Sequence, residues 1–355
     1  MNMWRILGIS ALIIYSTVRS SLVNGSPKVG CYFIFGDSSS DAGNNNGLTT
    51  MAKANYPPYG LDFPGHISTG RFTNGLTIVD FIAQLLGFQR FITPYSNQMG
   101  QEILTGVNFA SGAAGILPQT SSHLGDRIWM SRQLQNYMIT ISKLEAMVQG
   151  PVANYLNKCL YTVNMGTNDY INNYFMPQYY PTRYLYNPDQ FSTLLIARYR
   201  AQLQLLYNSG ARKVAIFGVG QLGCIPAEIA MNNATQCVQQ INQAVQLFNS
   251  KLISLVDYFN ARLPGANFTF INFYAMQSLA PLPPGIITNS TCCKLRSDFQ
   301  CEAFSEACSN RNTYAFMDGF HPTEIVNQIG ATFAFNSPIP AFVHPIDISR
   351  LITNT

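Results

Sequence analysis

The chain has 355 residues and few charges: Asp, Glu, Lys and Arg make up 11% of it, for a net charge of +4. Its Lys and Arg are scattered, which argues against a nucleic-acid-binding face. The length permits a sizeable core, and no linker, low-complexity tract, charge block or fixed-period repeat divides it, so one domain is expected.

The first residues read as a secretory signal. Arg5 supplies a positive charge, Ile6 to Val18 is an apolar core too short to span a bilayer comfortably, and small residues permit cleavage near Gly25. The expected division is a signal peptide at 1–25 and a single domain at 26–355, in a secreted, extracellular protein whose mature chain has no transmembrane segment. Val29 to Gly36 is the first strand candidate, an apolar run stopped by glycine and followed at once by Asp37-Ser38. Residues 48–74 are loop-like and rich in Pro and Gly. They carry Tyr56, Tyr59, Phe63 and Phe72, aromatics that either line a site or pin the loop to the core. Thr77 to Leu86 is a short amphipathic helix, with Ile78, Phe81, Ile82 and Leu85 at helical spacing and Gly87 after it.

Val107 to Ala110 is a short strand running into Ser111-Gly112-Ala113. Arg127 to Val148 is a long helix, and Leu160 to Met165 a strand ending at Gly166-Thr167-Asn168-Asp169. Pro188 to Asn208 is a helix, Lys213 to Gly218 a strand, Thr235 to Ala261 a helix and Phe268 to Phe273 the last strand. A final helix runs from about Thr323 to Phe335. Strands that alternate with long helices imply a parallel sheet covered on both faces. Right-handed crossovers then bring the strand-end loops to one edge.

Three Asn-x-Ser/Thr triplets, at Asn233, Asn267 and Asn289, are glycosylation acceptors by pattern. Cys224 and Cys237 are expected to pair, and Cys292, Cys293, Cys301 and Cys308 to form two bridges whose connectivity spacing does not fix. A zinc cluster is the rival for those four, disfavoured because no Cys-x-x-Cys occurs and no His lies among them. Cys31 and Cys159 each begin an apolar run; they are free thiols or, if their strands are neighbours, a bridge.

A serine at a strand end is a candidate nucleophile, and it needs a base with an orienting acid. Of the four histidines, His321 stands out because Asp318, three residues earlier, can reach its Nδ1. The tetrahedral oxyanion needs donors. The Ser38 N–H, the Gly112 N–H and the Asn168 side-chain amide are the candidates. No Gly-x-Ser-x-Gly occurs, so the nucleophile elbow of α/β-hydrolases is missing.

Four blocks in order complete the pattern. They are Phe35-Gly36-Asp37-Ser38 with Asp41-x-Gly43-Asn44-Asn45-Asn46, then Asn108-Phe109-Ala110-Ser111-Gly112, then Gly166-Thr167-Asn168-Asp169, and last Asp318-x-x-His321-Pro322-Thr323. Together they resemble the plant-type GDSL esterase/lipase family of the SGNH hydrolases. The resemblance implies an α/β fold, a three-layer α/β/α sandwich on a flavodoxin-like parallel sheet of about five strands. It implies Ser38 as nucleophile, His321 as base, Asp318 as its partner, and Ser38, Gly112 and Asn168 as the oxyanion hole. Two departures stand out: Ser39 replaces the leucine that names the family, and Ala113 stands where relatives often have a second glycine.

The expected activity is ester hydrolysis through an acyl-enzyme, on a small-molecule, lipid or polysaccharide ester, with no metal and no cofactor. An acyltransferase using the same acyl-enzyme with an alcohol acceptor is the nearest alternative. A non-catalytic binding protein on this fold is the more distant one.

Overall fold

The computed structural model describes residues 26–280 and 282–353, so the expected signal peptide at 1–25 lies outside the described residues. Four strands, β1 (Tyr32–Gly36), β2 (Leu160–Asn164), β3 (Lys213–Phe217) and β4 (Asn267–Ile271), pair in that order, all parallel. Their side chains alternate between two cores, as the period of a strand requires. Phe33, Phe35, Tyr161, Val163 and Ile216 enter one core, while Tyr32, Ile34, Leu160, Ala215 and Phe217 enter the other. Both faces are buried, which is why these strands read as unbroken apolar runs.

The covering helices are α1 (Ile78–Leu86), α2 (Met130–Glu145), α3 (Pro188–Asn208), α4 (Gln239–Arg262), α5 (Glu324–Phe335) and α6 (Ile348–Thr353). α2, α3 and α4 pack on the first core; α1, α5 and α6 pack on the second. This is the expected three-layer α/β/α arrangement. α1 is started by Asp80, whose carboxylate accepts from the N–H and hydroxyl of Thr77 at 2.9 and 2.6 Å. Arg71 pairs with the same carboxylate at 2.8 Å, tying the preceding loop to the helix.

The expected strand at Val107 to Ala110 is shorter than a regular strand. It lies along β1, where Ile34 N–H donates to Val107 O (3.0 Å), Phe109 N–H to Ile34 O (2.7 Å) and Ser111 N–H to Gly36 O (3.0 Å). With it the spatial order is 107–110, β1, β2, β3, β4, the flavodoxin-like order. The fifth strand of the sheet is instead β5 (Val343–His344), antiparallel to β4. Two residues ahead of a proline leave no periodicity to read. α4 begins later than expected because Cys237 is bridged to Cys224 and Val238 N–H is held by Gly223 O at 2.7 Å. α2 begins at Met130 because Ile128 N–H donates to Ser111 Oγ at 2.9 Å. Phe273, read as a strand end, instead opens a short helix, Phe273–Leu279, capped by Asn272.

The cysteines pair as Cys31–Cys159, Cys224–Cys237, Cys292–Cys308 and Cys293–Cys301. Cys31 and Cys159 precede neighbouring strands, which resolves their alternative in favour of a bridge. The last four are consumed by two bridges, which leaves no thiolates for zinc. Asn233 and Asn289 are exposed, and Asn267 is half-buried at the start of β4.

Replacing both Cys31 and Cys159 by Ala is expected to lower unfolding stability by roughly 2–5 kcal/mol. Urea unfolding of the oxidised protein measures this, and an unchanged midpoint would contradict it.

Candidate active site

β1 ends at Gly36 against β2, where a Cβ would lie 2.9 Å from Asn164 O, so glycine is required by packing. Gln133 of α2 grips both sides of this residue: Gly36 N–H donates to its Oε1 (3.0 Å) and its Nε2 donates to Gly36 O (2.8 Å). The chain then turns around Asp37. The carbonyl of Asp37 accepts from Ser40 and Asp41 N–H, and its Oδ1 accepts from Ser39 N–H at 3.0 Å. Ser38 is thereby presented, half-buried, at the C-terminal edge of the sheet.

His321 arrives from the segment before α5. Its Nε2 lies 2.8 Å from Ser38 Oγ, and its Nδ1 lies 2.9 and 2.8 Å from the two oxygens of Asp318. Asp318 is fully buried. Its Oδ1 accepts the N–H groups of Phe320 and His321 at 2.8 Å each, and its Oδ2 accepts the Tyr59 hydroxyl at 2.5 Å. Burial pushes this carboxyl up. The neighbouring His321, with hydrogen bonds from His321, Tyr59 and Phe320, outweighs it and holds the group below its ordinary value. It therefore stays ionised and keeps Nδ1 as the protonated nitrogen.

Gly112, expected as an oxyanion donor, has its N–H engaged within the protein. Its N–H is already given to Asp41 Oδ2 at 2.9 Å, and its carbonyl accepts from Asn45 Nδ2 at 3.0 Å. A glycine is needed there because a Cβ would lie 2.7 Å from Asn45 Nδ2 and 2.8 Å from the Phe72 ring. Ala113 lines the cleft instead. Its φ of +64° lies in the left-handed region, which costs a non-glycine residue roughly 1–2 kcal/mol. Among the described residues neither the Ala113 N–H nor the Ser38 N–H has an acceptor. Asn168 donates one amide hydrogen to Ala114 O (3.0 Å) and accepts from Asn172 Nδ2 (2.7 Å), so its second amide hydrogen is unspent. Ser38, Ala113, Asn168 and His321 line one cleft of about 320 Å³.

Asp41 holds this loop, and the order of the chain gave little sign of that role. It accepts from Gly43 and Asn44 N–H at 2.7 Å each as well as from Gly112. Asn44 and Asn45 reach the 107–112 segment from the same turn: Asn44 Nδ2 donates to Asn108 O and Ala110 O, and Ser111 Oγ donates to Asn45 Oδ1. The asparagine run is therefore scaffolding for the loop beside Ser38. Asp169 does the same from below, accepting from Ile116 and Leu117 N–H and from the Thr120 hydroxyl.

The aromatics of the 48–74 loop mostly pin it to the core. Tyr59 and Phe63 are buried, and Phe72 alone of the four lines the cleft, its ring 4.9 Å from that of His321. The apolar wall comes from elsewhere: Ile171, Met176, Leu222, Ile225, Phe299 and Phe320. His123, given no role from sequence, also lines the cleft, stacked on Tyr179 and bonded through Nδ1 to the Tyr180 hydroxyl at 2.8 Å. His66 and His344 lie apart, on Leu61 O and Asp257.

Residues 32–331 match the family of GDSL-like lipases/acylhydrolases. A GDSL esterase/lipase of Arabidopsis thaliana is 46% identical over 342 residues, covering 93% of this chain and 94% of its own. A second from the same plant is 45% identical over 351 residues, covering 96% of this chain and 97% of its own. Among solved structures, an extracellular lipase from Streptomyces rimosus covers 85% of this chain and 99% of its own, at 15% identity and a TM-score of 0.36.

Burial pushes the carboxyls of Asp37, Asp41 and Asp169 up from 3.8 to about 6. In the folded state they bind protons that the unfolded chain releases. Their stabilising contribution is therefore full below pH 3.8 and is lost as pH rises through about 6. Asp80 and Asp318 have lowered values, so their contribution is lost only as pH falls below 3.8. The melting temperature is expected to rise when pH is lowered from about 7 to about 5. A calorimetric scan showing a lower value at the more acid pH would contradict this.

Proposed function

The chain belongs to the GDSL-like lipase/acylhydrolase family and is a carboxylic ester hydrolase, and on that premise we propose that it works through a Ser38–His321–Asp318 acyl-enzyme mechanism. The observation that carries this is the continuous path from Ser38 Oγ through both nitrogens of His321 to Asp318, with links of 2.8 Å on each side. His321 Nε2 takes the proton as Ser38 Oγ attacks the ester carbonyl. Asp318 stabilises the imidazolium so formed. The alcohol leaves with the proton from Nε2. Water, deprotonated by the same nitrogen, then releases the acid and restores Ser38.

The developing oxyanion is held by Ser38 N–H, Ala113 N–H and the free amide hydrogen of Asn168, each contributing about 3 kcal/mol. Ala113 replaces Gly112 in this role because the Gly112 N–H is committed to Asp41. The apolar wall of the cleft supports an ester with an apolar acyl chain. The four disulfides support a secreted, extracellular protein, with residues 1–25 removed and 26–355 acting as one domain.

Ser38→Ala is expected to lower kcat by roughly 10⁴ or more and to abolish labelling by a fluorophosphonate. Undiminished hydrolysis by that variant would sink the mechanism. Asn168→Ala is expected to lower kcat about 10²- to 10³-fold. In a crystal of the phosphonylated enzyme the phosphoryl oxygen should sit about 3 Å from Ala113 N. Finding it on Gly112 N, with the Asp41 contact broken, would return the donor role to Gly112.

A further inference from the structure

We propose that Tyr59 is a positioning residue for this reaction: its hydroxyl locks the second oxygen of Asp318 and so fixes the plane in which that carboxylate meets His321. The inference rests on the Ser38–His321–Asp318 reading.

A carboxylate turns readily about its Cβ–Cγ bond, because the barrier at that sp³–sp² torsion is broad and nearly two-fold. Backbone groups restrain one oxygen of Asp318: Phe320 N–H and His321 N–H both donate to Oδ1. Among the described residues no backbone group donates to Oδ2. The donors on that oxygen are His321 Nδ1, at 2.8 Å, and the Tyr59 hydroxyl, at 2.5 Å. The His321 contact is the one whose direction has to be fixed, so it cannot also be the independent anchor. Tyr59 is the contact that can.

Tyr59 is built for a fixed direction. Its side chain is fully buried, with the ring edge-on to Tyr56 at 5.4 Å and to Phe72 at 6.2 Å. Its hydroxyl oxygen accepts the Cys301 N–H at 3.1 Å, which leaves the hydroxyl hydrogen directed at Asp318. Burial, with the adjacent Asp318 charge, pushes the phenol well above its ordinary value, so the hydrogen is retained. Cys301 is in turn cross-linked to Cys293, so the anchor ends on a covalently closed loop. The path is Cys301 N–H to Tyr59 to Asp318 to His321 to Ser38.

The test compares Tyr59→Phe with Tyr56→Phe in the full-length oxidised enzyme. Tyr56 donates to the carbonyl of the same Cys301 but has no bond to Asp318, so it reports what loosening that loop does by itself. Tyr59→Phe is expected to lower kcat roughly ten-fold, the scale of one lost hydrogen bond to a charged group, with KM unchanged. The far-downfield proton resonance of His321 Nδ1–H should shift as well. Tyr56→Phe should leave both where they are. In an Asp318→Asn background, Tyr59→Phe should cost nothing further. Should Tyr59→Phe misfold, a fluorotyrosine at position 59 keeps the packing and strengthens the donor, and kcat should then change with phenol acidity. Full activity in Tyr59→Phe, equal losses in the two Phe variants, or additive losses with Asp318→Asn would overturn the proposal. Full activity in Asp318→Asn itself would instead overturn the triad on which it stands.

Discussion

The site depends on carboxylates buried at the C-terminal edge of a parallel sheet and saturated with hydrogen-bond donors. An ionised group out of water is tolerated only when such donors surround it. Asp318, whose carboxyl is held below its ordinary value, meets that condition; Asp41 and Asp169, pushed up by burial to about 6, likewise collect donors, mostly backbone N–H groups, from chain segments that would otherwise be independent loops. Asp41 gathers its own turn and the 111–114 loop, Asp169 gathers residues 116–120, and Asp318 gathers the turn that carries His321. The parallel sheet supplies the common edge. The carboxylates turn the loops at that edge into defined geometry.

This division of labour explains which features were readable in the order of residues. Strands buried on both faces leave unbroken apolar runs that stop at glycine, so β1 to β4 and the long helices were legible to within a few residues. β5 was not, because two residues carry no period. The segment at 107–110 was legible as extended chain but not as a partial edge, since pairing on one side cannot be read from its own side chains. Ser38, Asp318, His321 and Asn168 could be singled out because the chemistry proposed for them is confined to a few residue types. Gly112 shows the limit. Its conspicuous feature, the missing side chain, serves contact with Asn45 and Phe72, while in this loop the N–H without an acceptor belongs to Ala113, noticed in the sequence only as a departure from a second glycine. Backbone direction is not written in residue identity. The contacts of Tyr59 and Asp41 could not be read for a related reason: their partners lie 259 and 71 residues away in the chain.

The cysteines extend the same logic to the covalent level. One bridge ties two neighbouring strands at their N-terminal ends, away from the reacting groups. Two others close the segment that presents Cys301 to Tyr59. Cross-links are concentrated where the chain has few helices or strands to order it, and the apolar cores do that work elsewhere.

Most of the wall of the cleft comes from segments other than those proposed to carry its chemistry, Phe320 between Asp318 and His321 being shared by both. Residues 171–176 and 222–231 supply much of the apolar surface but none of the groups proposed to react. The loop at 111–114 is fastened by polar side chains from the turn after β1. Bulk on the wall can therefore change without redirecting the donors. The groups proposed to react and most of the surface proposed to meet the acyl chain thus come from different parts of the chain, so a lineage could change the one and keep the other.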